Sequence, residues 1–502
     1  MTGFDPMRPA WYLVPEYHPA EEARAVLDPG TLLEVGQRAI CGSGETESAL
    51  AAVTAAQRNW ARFDSRSRAA ALHGIAAHIE QDDLTEVARL MTLEMGKPYP
   101  EAVGELANCA SIFRYYAELS RDDAGKIAGT TQAGSFQYVR YEPLGVSAHI
   151  MPFNFPVLLM CWTVAASLAA GNGCVVKPAE ATTLSTLRFM NVFRDLPPGL
   201  LSCLPGGPNL GRALVESPNT HAIAFTGSAA TGKAVASAAG ARLKPAIIEA
   251  GGSDALIVTE HAPLDVAAAG AVTAAFHMSG QVCTSAERLF VHEKVFDAFL
   301  ERFTAETRRL RIGHGLETAE IGPLVSEAAR AKVIRLVEDA LGKGATLHCG
   351  GRIPPDRETG WFYEPTILSD CTPDMALLKE ECFGPVASIT KVGSLDEAIE
   401  RANASEFGLG ASLFTTSLEE AMEAADRIEA GMVWVNNPLI DNDALPFSGW
   451  KNSGMGRELS RQGLDAFRRS KMVILDHKPV RQDWWYPYPD DWFYGSGGRG
   501  TE

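Results

Sequence analysis

One cysteine of this chain lies in a segment that would present its thiol for chemistry. Cys283 ends the run Ser279-Gly280-Gln281-Val282-Cys283, a glycine-containing turn that follows an apolar, helix-like stretch. A turn exposes a thiol whereas a strand or a helix interior buries it, so the sequence predicts Cys283 as a nucleophile. The other eight of the nine cysteines lie mostly in apolar runs, where cysteine behaves as a small core residue.

A carboxylate that could act as a general base follows a predicted strand. Glu249 comes directly after the apolar run Ala246-Ile247-Ile248 and is followed by Ala250, Gly251 and Gly252. The carboxyl ends of parallel strands form the ligand-binding edge of a sheet, and a carboxylate there can accept a proton. We therefore expect Glu249 to serve as a base.

A second strand end could hold phosphate groups. Gly227 to Lys233 has the glycine and lysine spacing of a P-loop, but Ala234 stands where a Ser or Thr would hold magnesium, which excludes an ATPase. The G-x-G-x-x-G fingerprint is also missing. Phe225-Thr226-Gly227-Ser228 could still bind a pyrophosphate through backbone N–H groups at a helix N-terminus, or it could be an ordinary strand-to-helix turn.

Several other chemistries are disfavoured. The sequence has no G-x-S-x-G elbow, and its 11 histidines are scattered without an H-x-x-x-H pair, so neither a serine hydrolase nor a metal site is predicted. The formal net charge of -17 repels phosphate backbones and anionic lipids, so nucleic acid and membrane are not expected partners. Cysteines without a C-x-x-C pair and an N-terminus without a signal-like apolar run predict a cytoplasmic protein.

The elements that must position these residues alternate between strand and helix. Residues 145 to 254 alternate short apolar runs with helical patterns, which predicts a doubly wound parallel sheet. Residues 253 to 470 repeat the alternation and predict a second α/β domain. The region from Ser48 to Leu119 is helical in pattern, and two isolated strand-like segments, Phe136–Val146 and Lys471–Asp476, are expected to pair.

One uncharged stretch, residues 150 to 176, is long enough to cross a bilayer. Prolines and an asparagine interrupt its start, and Asn172-Gly173 breaks its end. We expect a helix buried against a sheet rather than a membrane span.

Seven motifs, in this order, resemble those of the NAD(P)-dependent aldehyde dehydrogenase superfamily. They are Met151–Pro156 for P-W-N-F-P, Lys177–Glu180 for K-P-A-E, Phe225–Ser228 for F-T-G-S, Glu249–Gly252 for E-L-G-G, Gly280–Cys283 for the nucleophile motif, Glu380–Pro385 for E-E-x-F-G-P, and Pro446–Gly454 for the C-terminal P-F-G-G…S-G. The resemblance runs from about Ser48 to Asp476 and implies an aldehyde dehydrogenase-like α/β fold, with two doubly wound parallel-sheet domains and a small β bridging or oligomerisation domain.

The resemblance also implies domain bounds and an assembly. The NAD-binding domain would comprise residues 1–125 and 145–252, the catalytic domain 253–469, and the bridging segments 126–144 and 470–490, with a tail at 491–502. Strands of such a bridging domain pair across subunits, so a homodimer or homotetramer is expected. Apart from the resemblance, the density of aromatic residues and prolines after Asp476 favours either an arm docked on the body or on a neighbouring subunit, or a cover for another subunit's substrate entrance.

The chemistry that the resemblance implies is oxidation of an aldehyde to its acid. Cys283 would attack the aldehyde carbon, and the side-chain amide of Asn154 with the backbone N–H of Cys283 would stabilise the alkoxide. Hydride would pass to the nicotinamide, and Glu249 would act as the base that lets water cleave the thioester. A CoA-acylating semialdehyde dehydrogenase is the alternative within the fold, and a non-catalytic NAD-binding structural protein is the alternative outside it.

The cofactor is expected to be NAD, with NADP possible. By resemblance, Lys177 and Glu180 would hold the adenosine ribose, Glu381 the nicotinamide ribose, and Phe383 would pack beside it. A carboxylate facing the 2′ position repels a 2′-phosphate, which favours NAD, whereas Lys177 would partly offset that repulsion. The remaining cofactor-binding residues implied by the resemblance are Met151, Pro152, Phe153, Ala179, Gly206, Phe225, Thr226, Gly227, Ser228, Ala250 and Gly251.

The substrate tunnel gives conflicting signals. The motifs most resemble the branch that includes succinate-semialdehyde dehydrogenases, whose substrate would need a cationic anchor. The loop from Pro438 to Leu445 contains Asp441 and Asp443 but no Arg or Lys, which favours a neutral or cationic aldehyde unless both carboxylates point to solvent. The tunnel residues implied by the resemblance are Phe155, Trp162, Val282, Thr284, Asp441 and Phe447.

Overall fold

Alternating strands and helices build two large sheets, as the sequence pattern predicts. The structure is a computed structural model that describes residues 3–122, 125–131, 133–489 and 492. Up to residue 249 the helices are α1 (Ser43–Trp60), α2 (Ser65–Gln81), α3 (Thr85–Met95), α4 (Tyr99–Ala107), α5 (Cys109–Asp122), α6 (Leu158–Ala170), α7 (Thr183–Phe189), α8 (Pro208–Glu216) and α9 (Ala229–Gly240). The strands of the same part are β1 (Ala10–Leu13), β2 (Glu16–Pro19), β3 (Ala23–Leu27), β4 (Glu34–Ala39), β5 (Gly125–Ile127), β6 (Ser135–Pro143), β7 (Val146–Ile150), β8 (Gly173–Lys177), β9 (Leu201–Cys203), β10 (Ala222–Thr226) and β11 (Ala246–Glu249).

The second part of the chain continues the alternation. Its helices are α10 (Leu264–Phe276), α11 (Phe296–Thr307), α12 (Glu327–Gly342), α13 (Leu395–Asn403), α14 (Leu418–Arg427) and α15 (Ser460–Asp465). Its strands are β12 (Asp254–Val258), β13 (Ala286–His292), β14 (Thr346–Cys349), β15 (Thr366–Ser369), β16 (Val386–Val392), β17 (Phe407–Gly408), β18 (Gly410–Phe414), β19 (Met432–Val435), β20 (Trp450–Lys451), β21 (Gly454–Met455) and β22 (Arg468–Asp476).

Five parallel strands form the centre of the first sheet, whose order is β2-β1-β9-β8-β7-β10-β11-β21. The strands β1, β2 and β21 lie at its two edges and run antiparallel to their neighbours. Strands β7 to β10 are buried along their whole length, which explains why they read as short apolar runs. The register Ile150↔Lys177 and Thr226↔Glu249 brings the carboxyl ends of neighbouring strands to one edge.

The second sheet has the order β14-β15-β16-β13-β12-β18-β19. All its neighbours are parallel except β14, which pairs antiparallel with β15. The helices α10 and α11 pack on it around a phenylalanine cluster of Phe276, Phe299 and Phe303. This sheet carries the loop that ends in Cys283, between α10 and β13.

The two isolated strand-like segments pair, as predicted. β22 lies next to β6 in a three-stranded sheet that β5 completes. The described residues divide into two compact units, one within residues 1–122 and 143–468, the other within residues 123–142 and 469–502. The predicted tail at 491–502 lies outside the described residues except for Trp492.

The uncharged stretch forms the expected buried helix. Every residue of α6 from Leu158 to Ala169 is buried in the core beside β7 and β8. Among the residues that the structure describes, no helix is long and apolar enough to cross a membrane.

Candidate active site

The loop before Cys283 is held in an unusual backbone conformation. Met278 and Ser279 have left-handed backbones with φ of 50° and 59°. Gly280 also has a positive φ, and a Cβ there would lie 2.1 Å from the carbonyl oxygen of Gly384, so only glycine fits. The Ser279 hydroxyl donates to the Gly322 carbonyl at 2.9 Å, which anchors the loop. This anchoring fixes where the Cys283 thiol points.

Cys283 and Glu249 form a buried pair. The Cys283 residue is 9% exposed, less than its turn-like sequence suggests, and Glu249 ends β11 with neither carboxyl oxygen hydrogen-bonded within 3.5 Å to another described N or O atom. Burial raises the pKa of Glu249 to about 8, and the contact with the thiol acts in the opposite direction. Burial, followed by the Glu249 carboxyl group, holds the pKa of the Cys283 thiol well above its ordinary value.

Asn154 is the third of the predicted catalytic residues, and it reaches the same loop. It is buried between β7 and α6, and its Nδ2 donates to the Gln281 carbonyl at 3.0 Å. An amide nitrogen carries two hydrogens, so this bond leaves one of them for a ligand. The structure thus brings all three predicted catalytic residues to one place.

A buried ion pair that the sequence did not reveal holds Asn154 in position. Lys97 donates to the Asn154 carbonyl at 2.6 Å and is paired with Glu105, with both charged side chains fully buried. The other Glu105 oxygen accepts from the backbone N–H groups of Val157 and Leu158 at 2.8 and 3.0 Å. The pair therefore joins the loop before α4, α4 itself and the start of α6.

Most predicted cofactor residues lie at or just beyond the carboxyl ends of the first sheet. The segment Met151-Pro152-Phe153 follows β7, with the Met151 N–H bonded to the Lys177 carbonyl at 3.0 Å. Residues 225–228 end β10 and lead into α9, where Ser228 is the N-cap and accepts from the Thr231 N–H. Lys177 is the last residue of β8, Ala179 and Glu180 follow that strand, and Gly206 follows β9.

The predicted nicotinamide side has a close fit between Gly251 and Glu381. Glu381 Oε1 accepts from the Gly252 N–H at 2.9 Å, and burial raises the pKa of Glu381 to about 7. A Cβ on Gly251, whose φ is +72°, would lie 2.6 Å from that oxygen. The Phe383 and Phe153 rings pack edge to face with their centroids 5.8 Å apart. The segment after β7 therefore meets the segment before β16 here.

Two buried carboxylates near this site were missed by the sequence analysis. Glu287 accepts the backbone N–H groups of Cys382 and Phe383 at 2.8 to 3.0 Å and so fixes the segment that carries Glu381. Burial, with the Glu249 carboxyl group adding to it, raises the pKa of Glu458 well above its ordinary value. Neither residue stands in a recognisable motif, because each is placed by contacts with segments distant in sequence.

A cavity of about 560 Å³ opens onto Cys283. All six predicted tunnel residues line it, namely Phe155, Trp162, Val282, Thr284, Asp441 and Phe447. The Trp162 and Phe447 rings pack at 4.8 Å. Asp443 is absent from this lining, and its carbonyl accepts the Ser460 N–H at 2.8 Å.

The charges around the cavity are acidic. The Asp441 residue is exposed overall, but desolvation where it lines the cavity, with Asp443 nearby, raises its pKa to about 6, so its carboxylate is largely ionised at neutral pH. Glu101 and His277 also line the cavity, with Oε1 of Glu101 3.2 Å from Nδ1 of His277. Among the lining residues that the structure describes, none is Lys or Arg.

The site brings a thiol, a carboxylate base and an amide donor together beside the strand ends that carry the predicted cofactor residues. Comparisons with known proteins agree with this description. The family model described as "Aldehyde dehydrogenase family" matches residues 17–473. A betaine aldehyde dehydrogenase of Bacillus subtilis (strain 168) is 35% identical over 475 residues, 92% of this chain and 96% of the relative. An NADP(+) succinate-semialdehyde dehydrogenase of Mycolicibacterium paratuberculosis is 38% identical over 461 residues, 90% of this chain and 96% of the relative.

Solved structures agree with these sequence comparisons. The crystal structure of a betaine aldehyde dehydrogenase from Staphylococcus aureus in complex with NAD+ superposes with a TM-score of 0.92 at 27% identity, covering 96% of this chain and 97% of that one. The predicted fold class and the resemblance of the motifs are therefore confirmed, and the chain belongs to the aldehyde dehydrogenase family.

Proposed function

We propose that this chain oxidises an aldehyde with a cationic tail to its carboxylic acid, using NAD or NADP as the hydride acceptor. The observation that carries the substrate class is the cavity above Cys283, which has aromatic walls and the Asp441 carboxylate but no Lys or Arg among its described lining residues. A cation gains from both features, whereas a carboxylate tail would meet like charge. The names of the betaine aldehyde and aminoaldehyde dehydrogenases among the relatives support the same class.

The proposed reaction starts at the Cys283 thiol. Its proton passes to the Glu249 carboxylate, and the sulfur forms a bond to the carbonyl carbon of the aldehyde. The carbonyl oxygen becomes an alkoxide, which the Nδ2 hydrogen of Asn154 and the Cys283 N–H would stabilise. When bound, the dinucleotide supplies the hydride acceptor that turns this adduct into a thioester.

The second half of the reaction needs water and Glu249. Once Glu249 has released the thiol proton to solvent, its carboxylate accepts a proton from water as the water oxygen attacks the thioester carbon. The carbon–sulfur bond then breaks, which releases the carboxylic acid and returns the Cys283 thiolate. Because Glu249 lies beside the sulfur, its position favours hydrolysis over transfer of the acyl group to CoA.

The residues at the strand edge fit a dinucleotide. The lack of a Cβ on Gly251 lets the Glu381 carboxylate approach the backbone there, and the buried Thr226 hydroxyl has no hydrogen-bond partner among the described residues. Lys177 and Glu180 would hold the adenosine ribose, and Glu381 with Phe383 the nicotinamide end. NAD is the expected cofactor with NADP possible, and relatives that bind or are named for each of them support this.

The proposal is tested by following NADH formation across aldehydes of matched length with amino, trimethylammonio, neutral or carboxylate tails. We expect the highest kcat/KM for a cationic tail and no turnover by Cys283→Ser. Asp441→Asn should raise KM for the cationic aldehydes by about tenfold and leave the neutral ones unchanged, whereas Asp426→Asn, on the exposed face of α14, should change neither. A carboxylate-tailed aldehyde with the highest kcat/KM would contradict the substrate class.

We also propose a division of labour among the domains. Residues 1–125 and 145–252 would bind the dinucleotide, 253–469 would supply the nucleophile, and 126–144 with 470–490 would bridge subunits. The strands β1 and β2 belong to the same sheet as β7 to β11, which supports one dinucleotide-binding domain built from residues 1–125 and 145–252. The separate three-stranded sheet supports the last.

A homodimer or homotetramer is proposed for the assembly. β22 lies at an edge of its three-stranded sheet and exposes the apolar side chains of Met472, Ile474 and Leu475. Such an edge is suited to pairing with a second copy. Light scattering of the purified protein should give two or four times the chain mass of 53.9 kDa, and a monomer alone would contradict this.

The free cysteines fit a reducing compartment, and we propose the cytoplasm.

A further inference from the structure

An arginine from the N-terminal region reaches the predicted ribose-binding residues. Arg38 lies on β4, and its Nη2 is 2.5 Å from Oε1 of Glu180. Its side chain is only 10% exposed, whereas that of Glu180 is 43% exposed, so the guanidinium lies beneath the more open carboxylate. The two residues are 142 positions apart, and the sequence gives no sign that they meet.

The Lys177 side chain lies close enough to Arg38 and Glu180 for both charges to affect its pKa. Its ammonium group is almost fully buried and donates to the Pro178 carbonyl at 3.2 Å. Burial lowers the pKa of Lys177 to about 8; the Glu180 carboxylate raises it and Arg38 lowers it further. At neutral pH Lys177 is still mostly charged, so this corner contains two cations and one carboxylate.

Two cations beside one carboxylate alter the expected preference between NAD and NADP. A lone Glu180 would repel a phosphate on the 2′ position of the adenosine ribose, which is why the sequence favours NAD. A carboxylate already paired with an arginine has little charge left to repel an anion, and the planar guanidinium has further N–H donors suited to phosphate.

We propose that Arg38 is a specificity-determining residue that lets the pocket accept a 2′-phosphate as well as a free 2′-hydroxyl. The inference rests on the proposed use of a nicotinamide dinucleotide and adds the residue that decides between its two forms. With a hydroxyl, Glu180 is available as the acceptor. With a phosphate, Arg38 and Lys177 supply the compensating charge.

Binding without any aldehyde tests this independently of turnover. Titration calorimetry of the full chain would compare NADH with NADPH, and adenosine monophosphate with its 2′-phosphorylated form. We expect the wild type to bind both members of each pair within about tenfold of one another. Arg38→Met should weaken the 2′-phosphorylated ligands by at least about tenfold and change the others by less than about threefold.

Two further variants keep the test decisive. Glu180→Gln should strengthen binding of the 2′-phosphorylated ligands, because Arg38 loses its carboxylate partner. Arg66→Met removes one positive charge from the exposed face of α2 and should change neither ligand. If Arg38→Met does not fold, then Arg38→Lys, which keeps the charge but not the planar fork, together with Glu180→Gln decides the question.

The outcomes separate the two proposals. Equal losses for both kinds of ligand in Arg38→Met, or no binding of NADPH by the wild type, would overturn the role of Arg38. No binding of NADH or NADPH by the wild type would instead overturn the proposed function itself.

Discussion

The protons of Cys283 and Glu249 set the conditions under which the site is active. Burial raises the pKa values of both groups, and each is close enough to affect the other. Near pH 7 the resting pair therefore holds a neutral thiol and a largely protonated carboxyl group. Catalysis needs the Glu249 carboxylate, which takes the thiol proton in the first step and a proton from water in the second.

We expect kcat/KM to increase as pH rises through about 8. The base form of Glu249 is the carboxylate, and its pKa is raised to about 8, so the active form accumulates above that pH and is lost below it. A pH profile of initial rates with a non-ionising aldehyde would measure this. A profile that falls from pH 6 to pH 9 would contradict it.

Glu249→Gln isolates the hydrolytic step. We expect this variant to release about one NADH per site in a slower first turnover, because solvent must then take the thiol proton, and the steady rate after it to fall by about 10²-fold or more, because water lacks its base. Rapid mixing with absorbance detection measures the burst and the steady rate separately. Loss of the burst along with the steady rate would show that the thioester cannot form without Glu249, which would contradict this expectation.

At the scale of elements, the pair of Lys97 and Glu105 locks the loop after α3 and the helix α4 to the start of α6. Gly96-Lys97-Pro98 predicts the end of a helix, and α3 does end at Met95 with Gly96 in the left-handed region. The sequence could not show that Lys97 is buried, because the Asn154 carbonyl that it binds is 57 residues away. Local patterns give the elements, whereas contacts over such separations give the site.

We expect Lys97→Met to lower the free energy of unfolding by about 3–5 kcal/mol, because it leaves the Glu105 charge buried without a partner. The double variant Lys97→Met with Glu105→Gln should recover part of that loss. Chemical denaturation of Lys97→Met, Glu105→Gln and the double variant measures the coupling. In both variants that lack Lys97, kcat should fall because the Asn154 carbonyl has lost its donor. Additive losses would show that the pair is not coupled.

The same distinction explains what the sequence could predict. The apolar runs of β7 to β11 and the helical spacing of α2, α3 and α6 identify the core elements, and the motifs identify Cys283, Glu249 and Asn154. Arg38, Glu287 and Glu458 carry no local signal, since each acts on a segment far along the chain. The short strands β1 to β4 were not predicted either, because turn-forming residues surround them.

At the scale of the whole chain, an ion pair joins the N-terminal region to its second half. Asp28 lies 2.7 Å from Nε2 of His314, and its other oxygen accepts the Gly30 N–H at 2.7 Å. The hydrogen bond that His314 donates to Asp28 raises the pKa of His314. Burial alone would raise the pKa of Asp28, but the bonds from His314 and Gly30 lower it overall.

This pair predicts a pH dependence of stability. The His314 contribution is fully present below about 6.5 and is lost as pH rises through its raised pKa, while the Asp28 contribution is present above about 4 and is lost in acid. Between pH 6 and pH 8 the melting temperature of the wild type should fall by about 1–2 °C more than that of His314→Gln. Scanning calorimetry in matched buffers measures both, and parallel curves would contradict the prediction.

The left-handed backbone at Met278 and Ser279 affects which variants of this enzyme a screen for stability would retain. A left-handed residue other than glycine costs roughly 1–2 kcal/mol, and the bond from the Ser279 hydroxyl to Gly322 returns about 0.5–1.5 kcal/mol. Ser279→Gly removes both terms, so its melting temperature would stay near that of the wild type although the loop before Cys283 has lost its anchor. A library screened for heat resistance would keep this variant, and only a screen for turnover would discard it.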